Sequence, residues 1–333
     1  MASSGSILGV DIGGTKVAVG LVDKAGAIGW HTRVPMAASG DAGAGLAAVR
    51  SASDQALQAH PGQVSAIGVS SPGPLDPQSG VVINPPNLPC WRNFPLGAEL
   101  AAAYRLPVRV DNDANAAGLA EALWGAGAGF SSVFYATLGT GIGTGIVLDR
   151  QIFHGRTGAA AEGGHMTINY AGPKCGCGKR GCIEVLASGP AIARRALQKL
   201  QSASSRAETR SALLDLASGD LSSVTPELVV QAWQAGDPLA TAVLRETVEL
   251  LAIWLGNIVD LLEPEVMVIG GGLGEVMSNF FDEIAGLLPA WCINRRCREI
   301  PLKLAHYRAD SGIAGAAALC LGIGEKKLVS AAL

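Results

Sequence analysis

Three of the seven cysteines lie within eight consecutive positions, as Cys175, Cys177 and Cys182, and His165 lies ten residues before the first of them. One imidazole and three thiolates form the tetrahedral ligand set that structural zinc sites use. Glycines between the cysteines leave the backbone free to turn the sulfur atoms inward. Four protein ligands leave no open coordination position. The pattern therefore predicts a Zn²⁺ ion that holds the loop 163–184 in place and takes no part in the chemistry.

Other uses of these cysteines fit the sequence less well. A disulfide needs an oxidising compartment, whereas the cysteine count is odd and the first residues do not have the form of a secretory signal. A redox pair favours the spacing Cys-x-x-Cys, whereas the spacings here are Cys-x-Cys and Cys-x4-Cys. Reduced surface cysteines without any ligand remain the alternative to zinc.

Gly-rich turns recur between apolar strands. Residues 7–23 and 133–149 share one layout, in which a strand leads through a Gly/Thr turn into a second strand, and residues 266–273 form a strand that leads into three glycines. Turns of this kind present backbone N–H groups to oxyanions. The repeated pattern predicts binding of nucleotide phosphates, and two ordinary β-hairpins with tight turns are the alternative.

The first turn also carries groups suited to a metal-bound nucleotide. Asp11 ends the first strand, where its carboxylate can hold Mg²⁺ through water. Thr15 and Thr140 add hydroxyl groups to the two turns, and Lys16 adds a positive charge.

A third polar group follows a strand and opens a helix. Asp111, Asn112 and Asp113 are consecutive, and capping of the helix accounts for one of them. A remaining carboxylate at this end of a parallel sheet can accept the proton of a substrate hydroxyl. Phosphoryl transfer requires little more of a protein than this base, Mg²⁺ and positioning.

The segment around the cysteines also carries sugar-binding chemistry. Glu162 lies three residues before His165, and Glu184 lies two residues after Cys182. Carboxylates and an imidazole fixed together suit a polyol, because each sugar hydroxyl both donates and accepts hydrogen bonds. We therefore expect the zinc-held loop to contact a sugar.

The chain of 333 residues is long enough for two domains. Its duplicated hairpin predicts two related α/β lobes that face each other across a cleft. We expect an N-terminal lobe over 1–113 and a C-terminal lobe over 114–310, with a C-terminal helix at about 311–333 that packs back on the first lobe. Among the other elements, a helix is expected near 275–288.

Charge and hydropathy exclude some functions. The formal net charge is -3 and no basic run is longer than a pair, so we expect no nucleic-acid partner. The most apolar helical stretch, 243–262, contains four charged residues, which are costly in a bilayer. We therefore expect no membrane segment and a cytoplasmic location.

Taken together, these motifs resemble one family. The segments DIGGTK, SSPGPLD, DNDANAA, LGTGIG, EGGH, CGCGKRGCIE and GGG occur in the order and spacing of the ROK family of bacterial sugar kinases and repressors, from about residue 7 to about residue 320. The resemblance implies an α/β, actin-like ATPase (ribonuclease H-like) fold with two lobes that close on the sugar. It also implies a homodimer, with a tetramer as the alternative.

The resemblance further implies residue roles. Asp113 matches the family's catalytic base, and the zinc ligands match His165, Cys175, Cys177 and Cys182. The implied sugar-binding residues are Gly73, Asn87, Asn112, Asp113, Glu162, His165 and Glu184. The residues implied to bind ATP and Mg²⁺ are Asp11, Gly13, Gly14, Thr15, Lys16, Thr140, Gly141, Gly270, Gly271 and Gly272.

Within the family, the segment NLPCWRNFPL is similar to that of bacterial glucokinases. The expected activity is therefore ATP-dependent phosphorylation of glucose at the 6-hydroxyl. The alternatives are a kinase of N-acetylmannosamine or another N-acetylhexosamine, a fructokinase, and a non-catalytic sugar-binding protein. A repressor is not expected, since only six residues precede the first strand. Thr144 departs from the family's usual glycine and would be mildly strained if that position required a positive φ.

Overall fold

The computed structural model describes residues 5–202 and 211–321. These residues form two compact α/β units. The first unit comprises 5–128, 150–160 and 309–321, and the second comprises the remaining described residues. The lobe boundaries expected at residues 113 and 310 stay a prediction.

The strands are short and mostly apolar. They are β1 (Ser6–Ile12), β2 (Lys16–Val22), β3 (Ile28–Pro35), β4 (Val64–Ser71), β5 (Leu75–Asp76), β6 (Val81–Val82), β7 (Val108–Asn112), β8 (Ser132–Leu138), β9 (Ile142–Leu148), β10 (Gln151–Ile152), β11 (Val266–Gly270) and β12 (Leu302–Leu304).

The helices follow groups of these strands. They are α1 (Ala42–Ala59), α2 (Leu96–Tyr104), α3 (Asp113–Leu123), α4 (Ile183–Ala187), α5 (Gly189–Ser202), α6 (Ala212–Leu216), α7 (Pro226–Gln234), α8 (Pro238–Leu262), α9 (Gly272–Met277), α10 (Phe281–Leu287) and α11 (Ser311–Ala318). Five of them, α4 to α8, come in succession between β10 and β11.

The sheet of the first unit has the order β3-β2-β1-β4-β7. The first three strands are antiparallel neighbours, and β4 and β7 continue the sheet in parallel with β1. The central strands are apolar on both faces because helices cover both faces, as in other mixed α/β sheets. One core cluster gathers residues such as Leu8, Val10 and Ile67, and a second forms around Ile313 of α11.

Two glycines allow α11 to approach this sheet closely. A Cβ added to Gly9 of β1 would overlap the carbonyl oxygen of Ile313, and one added to Gly68 of β4 would overlap that of Ala316. The helix α11 therefore lies directly on the backbone of two neighbouring strands. The last residues of the helix expected at 311–333 lie outside the described residues.

In the second unit, four strands lie in the order β9-β8-β11-β12. The hairpin β8–β9 is antiparallel, and β11 runs parallel to β8. The two units thus repeat one arrangement, a hairpin whose first strand has a parallel neighbour. The long helix α8 buries Trp254 in the core. No helix within the described residues has both the length and the apolar character needed to span a membrane.

The helix expected near 275–288 is divided into two helices by a 3-10 turn. Helix α9 ends at Met277, a 3-10 turn follows over Ser278–Phe280, and α10 begins at Phe281. At the break, the Ser278 hydroxyl donates to the carbonyl of Glu275, and the Asn279 amide donates to that of Val276. Such side chains compete with backbone N–H groups for helix carbonyls, which interrupts the helix.

The close approach of α11 gives a testable prediction. Gly68→Ala should lower the free energy of unfolding by about 1 to 3 kcal/mol, the usual cost of overpacking a core, because its methyl group meets the α11 backbone. The urea midpoint measures this change. Gly29→Ala in β3 is the matched control, since open space surrounds that position. Equal midpoints for the two variants would contradict the packing described here.

Candidate active site and metal centre

The hairpin turn of the first unit places Asp11 beside the start of α11. The Ser70 hydroxyl donates to Asp11 Oδ1 at 2.8 Å and lies 3.3 Å from the carbonyl oxygen of Gly312. Burial raises the pKa of Asp11, against the lowering effects of the Ser70 hydrogen bond and of the charge on Lys16. A carboxylate with a raised pKa gains from a cation beside it.

The start of α3 distinguishes the roles of the three consecutive polar residues. Asn112 is the N-cap of this helix, and its Oδ1 accepts from the N–H groups of Ala114 and Asn115 at 3.0 and 3.3 Å. Asn112 is therefore the one residue of the three that helix capping accounts for. Asp113 follows as the first residue of the helix, and it is exposed.

The Asp113 carboxyl group titrates close to neutral pH. The protein atoms around it remove part of its hydration, and this desolvation is the main cause that raises its pKa to about 6. The negative charge of Asp11 acts in the same direction, whereas a hydrogen bond from the Ala114 N–H opposes it. Because the side chain remains accessible to solvent, this carboxylate can meet a ligand. Two neighbouring carboxylates whose pKa values are both raised also suit a divalent cation.

Asp111 has a structural environment instead. It is 4% exposed, and its Oδ1 accepts from the N–H of Asn112 and from the Asn115 amide. Its Oδ2 lies 2.6 Å from Nε2 of His154, and this hydrogen bond raises the pKa of His154. The sequence interpretation missed His154, because nothing in its sequence neighbourhood indicates a partner 43 positions earlier.

Gly73 and Asn87 lie beside these groups in the same unit. A Cβ at Gly73 would lie 3.4 Å from Asn112 Nδ2, and one at Gly14 would lie 2.9 Å from the carbonyl oxygen of Asn87. The first unit thus gathers these predicted residues around the ends of β1, β4 and β7: Asp11, Gly13, Gly14, Thr15, Lys16, Gly73, Asn87, Asn112 and Asp113.

The second unit brings the four predicted zinc ligands together. Their ligand atoms all lie within 4.8 Å of one another. Sγ of Cys177 lies 3.7 Å from Sγ of Cys182, and Sγ of Cys175 lies 3.7 Å from Nδ1 of His165. Zinc–sulfur bonds of about 2.3 Å place two sulfurs of a tetrahedral site about 3.8 Å apart, whereas a disulfide needs about 2.05 Å. The donor set therefore fits a closed zinc site.

Glycines shape this metal-binding loop as expected at two of three positions. Gly178 and Gly181 have φ values of 94° and 62°, in the region that favours glycine. At Gly181, an added Cβ would also overlap the carbonyl oxygen of Asn169. Gly176 has open space around it.

Glu184 links the metal site to the second Gly-rich turn. Its Oε2 accepts from the N–H of Ile142 at 3.0 Å, directly after Gly141. Its Oε1 lies 3.8 Å from His165 Nδ1 and 4.0 Å from Cys175 Sγ. One carboxylate thus contacts both the predicted phosphate turn and the predicted metal ligands.

Thr144 is not strained. It lies within β9, is 4% exposed, and is not among the non-glycine residues with positive φ. Its hydroxyl donates to the carbonyl of Ala161 and accepts from the N–H of Gly163 at 2.8 Å. Thr144 therefore holds both sides of Glu162, whose side chain is exposed.

Two of the remaining predicted nucleotide residues, Thr140 and Gly272, line one cavity in the second unit. Gly271, with φ of 81°, lies so close to the end of β8 that an added Cβ would overlap the Leu138 carbonyl. The adjoining cavity of about 650 Å³ includes Thr140 and Gly272 in its lining. Its volume suits a small organic ligand. The sequence analysis did not predict the apolar residues of this lining, because they carry no polar signal. They include Pro190, Pro226, Val230, Leu273 and Val276.

Comparisons with known proteins agree with this geometry. The sequence profile of the ROK family matches residues 7–323. The glucokinase of Streptomyces coelicolor is 35% identical over 316 residues, 95% of this chain and 97% of that relative. The N-acetyl-D-glucosamine kinase of Salmonella typhimurium is 32% identical over 326 residues, 94% and 98% of the two chains. A solved ROK family glucokinase from Streptomyces griseus, in complex with glucose and AMPPNP, has a TM-score of 0.80 and 34% identity, and covers 95% and 99%.

These likenesses span nearly the whole chain. The fold is the α/β, actin-like ATPase fold of ROK glucokinase structures, so this expectation is confirmed. The chain belongs to the ROK family.

The shape of the metal-binding loop can be tested directly. Gly181→Ala forces a strained φ and a clash with Asn169. We expect its zinc content, measured by elemental analysis, to fall well below one ion per chain. Gly176→Ala, which changes a glycine of the same loop in open space, should keep its zinc. Full zinc content in Gly181→Ala would show that the loop binds metal in another conformation.

Proposed function

We propose that this protein transfers the γ-phosphoryl group of ATP to the 6-hydroxyl of glucose. The observation that carries the proposal is the Asp113 carboxyl group, which is exposed, has a pKa of about 6, and lies beside the charge of Asp11. The relatives that act as glucokinases, and the solved member that holds glucose and AMPPNP, support the choice of substrates.

Asp113 serves as the general base in this proposal. Its carboxylate accepts the 6-hydroxyl proton as the hydroxyl oxygen bonds to the transferred phosphoryl group and ADP leaves. A pKa near 6 leaves the group ionised at neutral pH while it still binds a proton more readily than an ordinary aspartate. Asn112 positions this base by capping α3, so its Nδ2 is the atom left to contact the sugar.

Sugar binding is assigned to carboxylates, amides and one imidazole. His165 turns Nδ1 toward Cys175, which leaves its other ring nitrogen for a sugar hydroxyl. Thr144 fixes the backbone around Glu162. The sugar-binding set proposed is Gly73, Asn87, Asn112, Asp113, Glu162, His165 and Glu184.

The nucleotide is assigned to the Gly-rich turns. We assign the adenine ring of ATP to the largely apolar cavity of about 650 Å³. Asp11 would hold the Mg²⁺ that accompanies the nucleotide, and the ion would supply positive charge against the phosphates. The proposed phosphate-binding residues are Gly13, Gly14, Thr15, Lys16, Thr140, Gly141, Gly270, Gly271 and Gly272.

Zinc has a structural role in the proposal. Bound zinc would cross-link the loop 163–184. All four zinc ligands come from the protein, so the metal has no open position for a substrate. His165 is one of these ligands, and Glu184 lies close to His165 and Cys175. The positions of both side chains, and so their contacts with the sugar, therefore depend on the loop.

The second candidate is phosphorylation of an N-acetylhexosamine. The relative that is an N-acetyl-D-glucosamine kinase favours it at 32% identity, slightly below the glucokinase. Both activities would use the same base and nucleotide sites and differ in the room beside C2 of the sugar. The homodimer and the alternative tetramer, which the family resemblance implies, stay predictions, and so does the cytoplasmic location expected from charge and hydropathy.

Replacement of the base tests the proposal. In an assay of ADP release with glucose, Asp113→Asn should lower kcat by about 10² to 10⁴, the usual worth of a general base. We expect the glucose KM to change much less. Asp111→Asn is the control, because it removes a buried, hydrogen-bonded charge. It should lower Tm, and it should lower kcat much less than Asp113→Asn does. If the kcat of Asp113→Asn stayed within threefold of wild type, Asp113 would not be the general base.

The pKa of Asp113 also predicts a pH profile. Below about pH 6 the carboxyl group is protonated and cannot accept the hydroxyl proton, so kcat/KM should fall about tenfold per pH unit. The folded-state pKa is raised, so ionisation of Asp113 destabilises the fold as pH rises through about 4 to 6. Asp113→Asn should therefore have a higher Tm than wild type at pH 7 and none of this gain at pH 3. A flat rate profile down to pH 5 would contradict the assignment.

A further inference from the structure

A second cavity lies in the first unit, outside the residues assigned to the reaction. Its volume is about 400 Å³. Three segments form its walls: the turn after β5, strand β7, and the loop that follows β10. The charged or titratable residues in the lining are Asp76, Arg109, His154 and Arg156.

The walls of this cavity are held in place. Gly158, with φ of 87°, packs so closely that an added Cβ would lie 2.8 Å from Cδ of Pro77. The N–H of Ala160 donates to the carbonyl of His154 at 3.1 Å and closes the loop. The loop that bears Arg156 is therefore fixed against the turn that bears Asp76.

The carboxylates near the cavity are already engaged. Asp76 accepts from the Gln78 N–H at 3.0 Å and from the Ser79 hydroxyl at 2.5 Å. These hydrogen bonds lower its pKa. Asp111 is engaged by His154 at 2.6 Å and by two further donors. Neither residue forms an ion pair with an arginine of the lining.

The two guanidinium groups have no such partner. Within residues 5–202 and 211–321, no carboxylate oxygen lies within 4.0 Å of a side-chain nitrogen of Arg109 or Arg156. In the same part of the chain, the N–H groups of residues 155–157 donate no hydrogen bond. The lining contains two arginines and one aspartate besides His154, so its formal charge is positive. Arginine pairs with phosphate through two parallel hydrogen bonds.

We propose that this cavity is a binding site for a small phosphate monoester, with Arg109 and Arg156 on the phosphate group. The volume exceeds what a free phosphate ion needs and suits a small organic phosphate. His154 joins the cavity to the start of α3 through Asp111. The site is separate from the proposed phosphoryl-transfer groups and does not rest on their assignment.

Titration calorimetry with glycerol 3-phosphate tests the site, because this probe lacks the hexose ring of the proposed substrate. Wild-type protein should bind one molecule per chain. The double variant Arg109→Gln/Arg156→Gln should bind at least about tenfold more weakly, since each charged hydrogen bond is worth that much or more. Arg105→Gln, an exposed arginine of the same unit outside the cavity, should bind within twofold of wild type. Inorganic phosphate should bind more weakly than the monoester.

Several results would overturn the proposal. One is equal affinity in wild type and the double variant. Another is affinity for inorganic phosphate that equals affinity for the monoester. A third is no heat of binding at about 10 mM ligand, where even weak sites saturate. Both variants change exposed side chains, and a Tm equal to wild type confirms that they are folded. The ADP-release assay with glucose is measured separately, so failure of this site and failure of the kinase assignment are distinguishable.

Discussion

The loop 163–184 of the second unit depends on one cluster of four side chains. His165, Cys175, Cys177 and Cys182 place their ligand atoms within 4.8 Å of one another. Between β10 and α4 the chain forms a single 3-10 turn and isolated bridges, so backbone ladders contribute little to its order. A metal ion held by these four ligands would cross-link the loop.

This constraint reaches the Gly-rich turn between β8 and β9 through one carboxylate. Glu184 lies near His165 and Cys175 on one side and accepts from the Ile142 N–H on the other. Thr144 makes a parallel link from β9 to the residues around Glu162. In the first unit, the equivalent positioning comes from packing: α11 lies against the backbone of β1 and β4, which carry Asp11 and Ser70. The two units thus hold similar hairpins by different physical means.

The sequence predicted features that follow from local chemistry. The cysteine spacing anticipated a cluster that the structure assembles, and strand–turn–strand patterns anticipated both hairpins. Features that depend on distant contacts were missed: the His154–Asp111 pair joins two segments with no shared motif, and the apolar residues of the cavity near Thr140 resemble any core residues. The break after Met277 was also missed, because it depends on two side chains that compete for carbonyl oxygens.

The central claim, that these groups phosphorylate glucose, is tested most directly by comparing substrates. Purified protein with ATP and Mg²⁺ is given glucose, N-acetylglucosamine and N-acetylmannosamine, and kcat/KM is measured by ADP release. The position of the new phosphate is read by NMR. The account predicts the highest kcat/KM for glucose, with phosphate on O6. A higher kcat/KM for either N-acetylhexosamine would contradict the substrate assignment, and no ADP release with any of these sugars would contradict a kinase that acts on them.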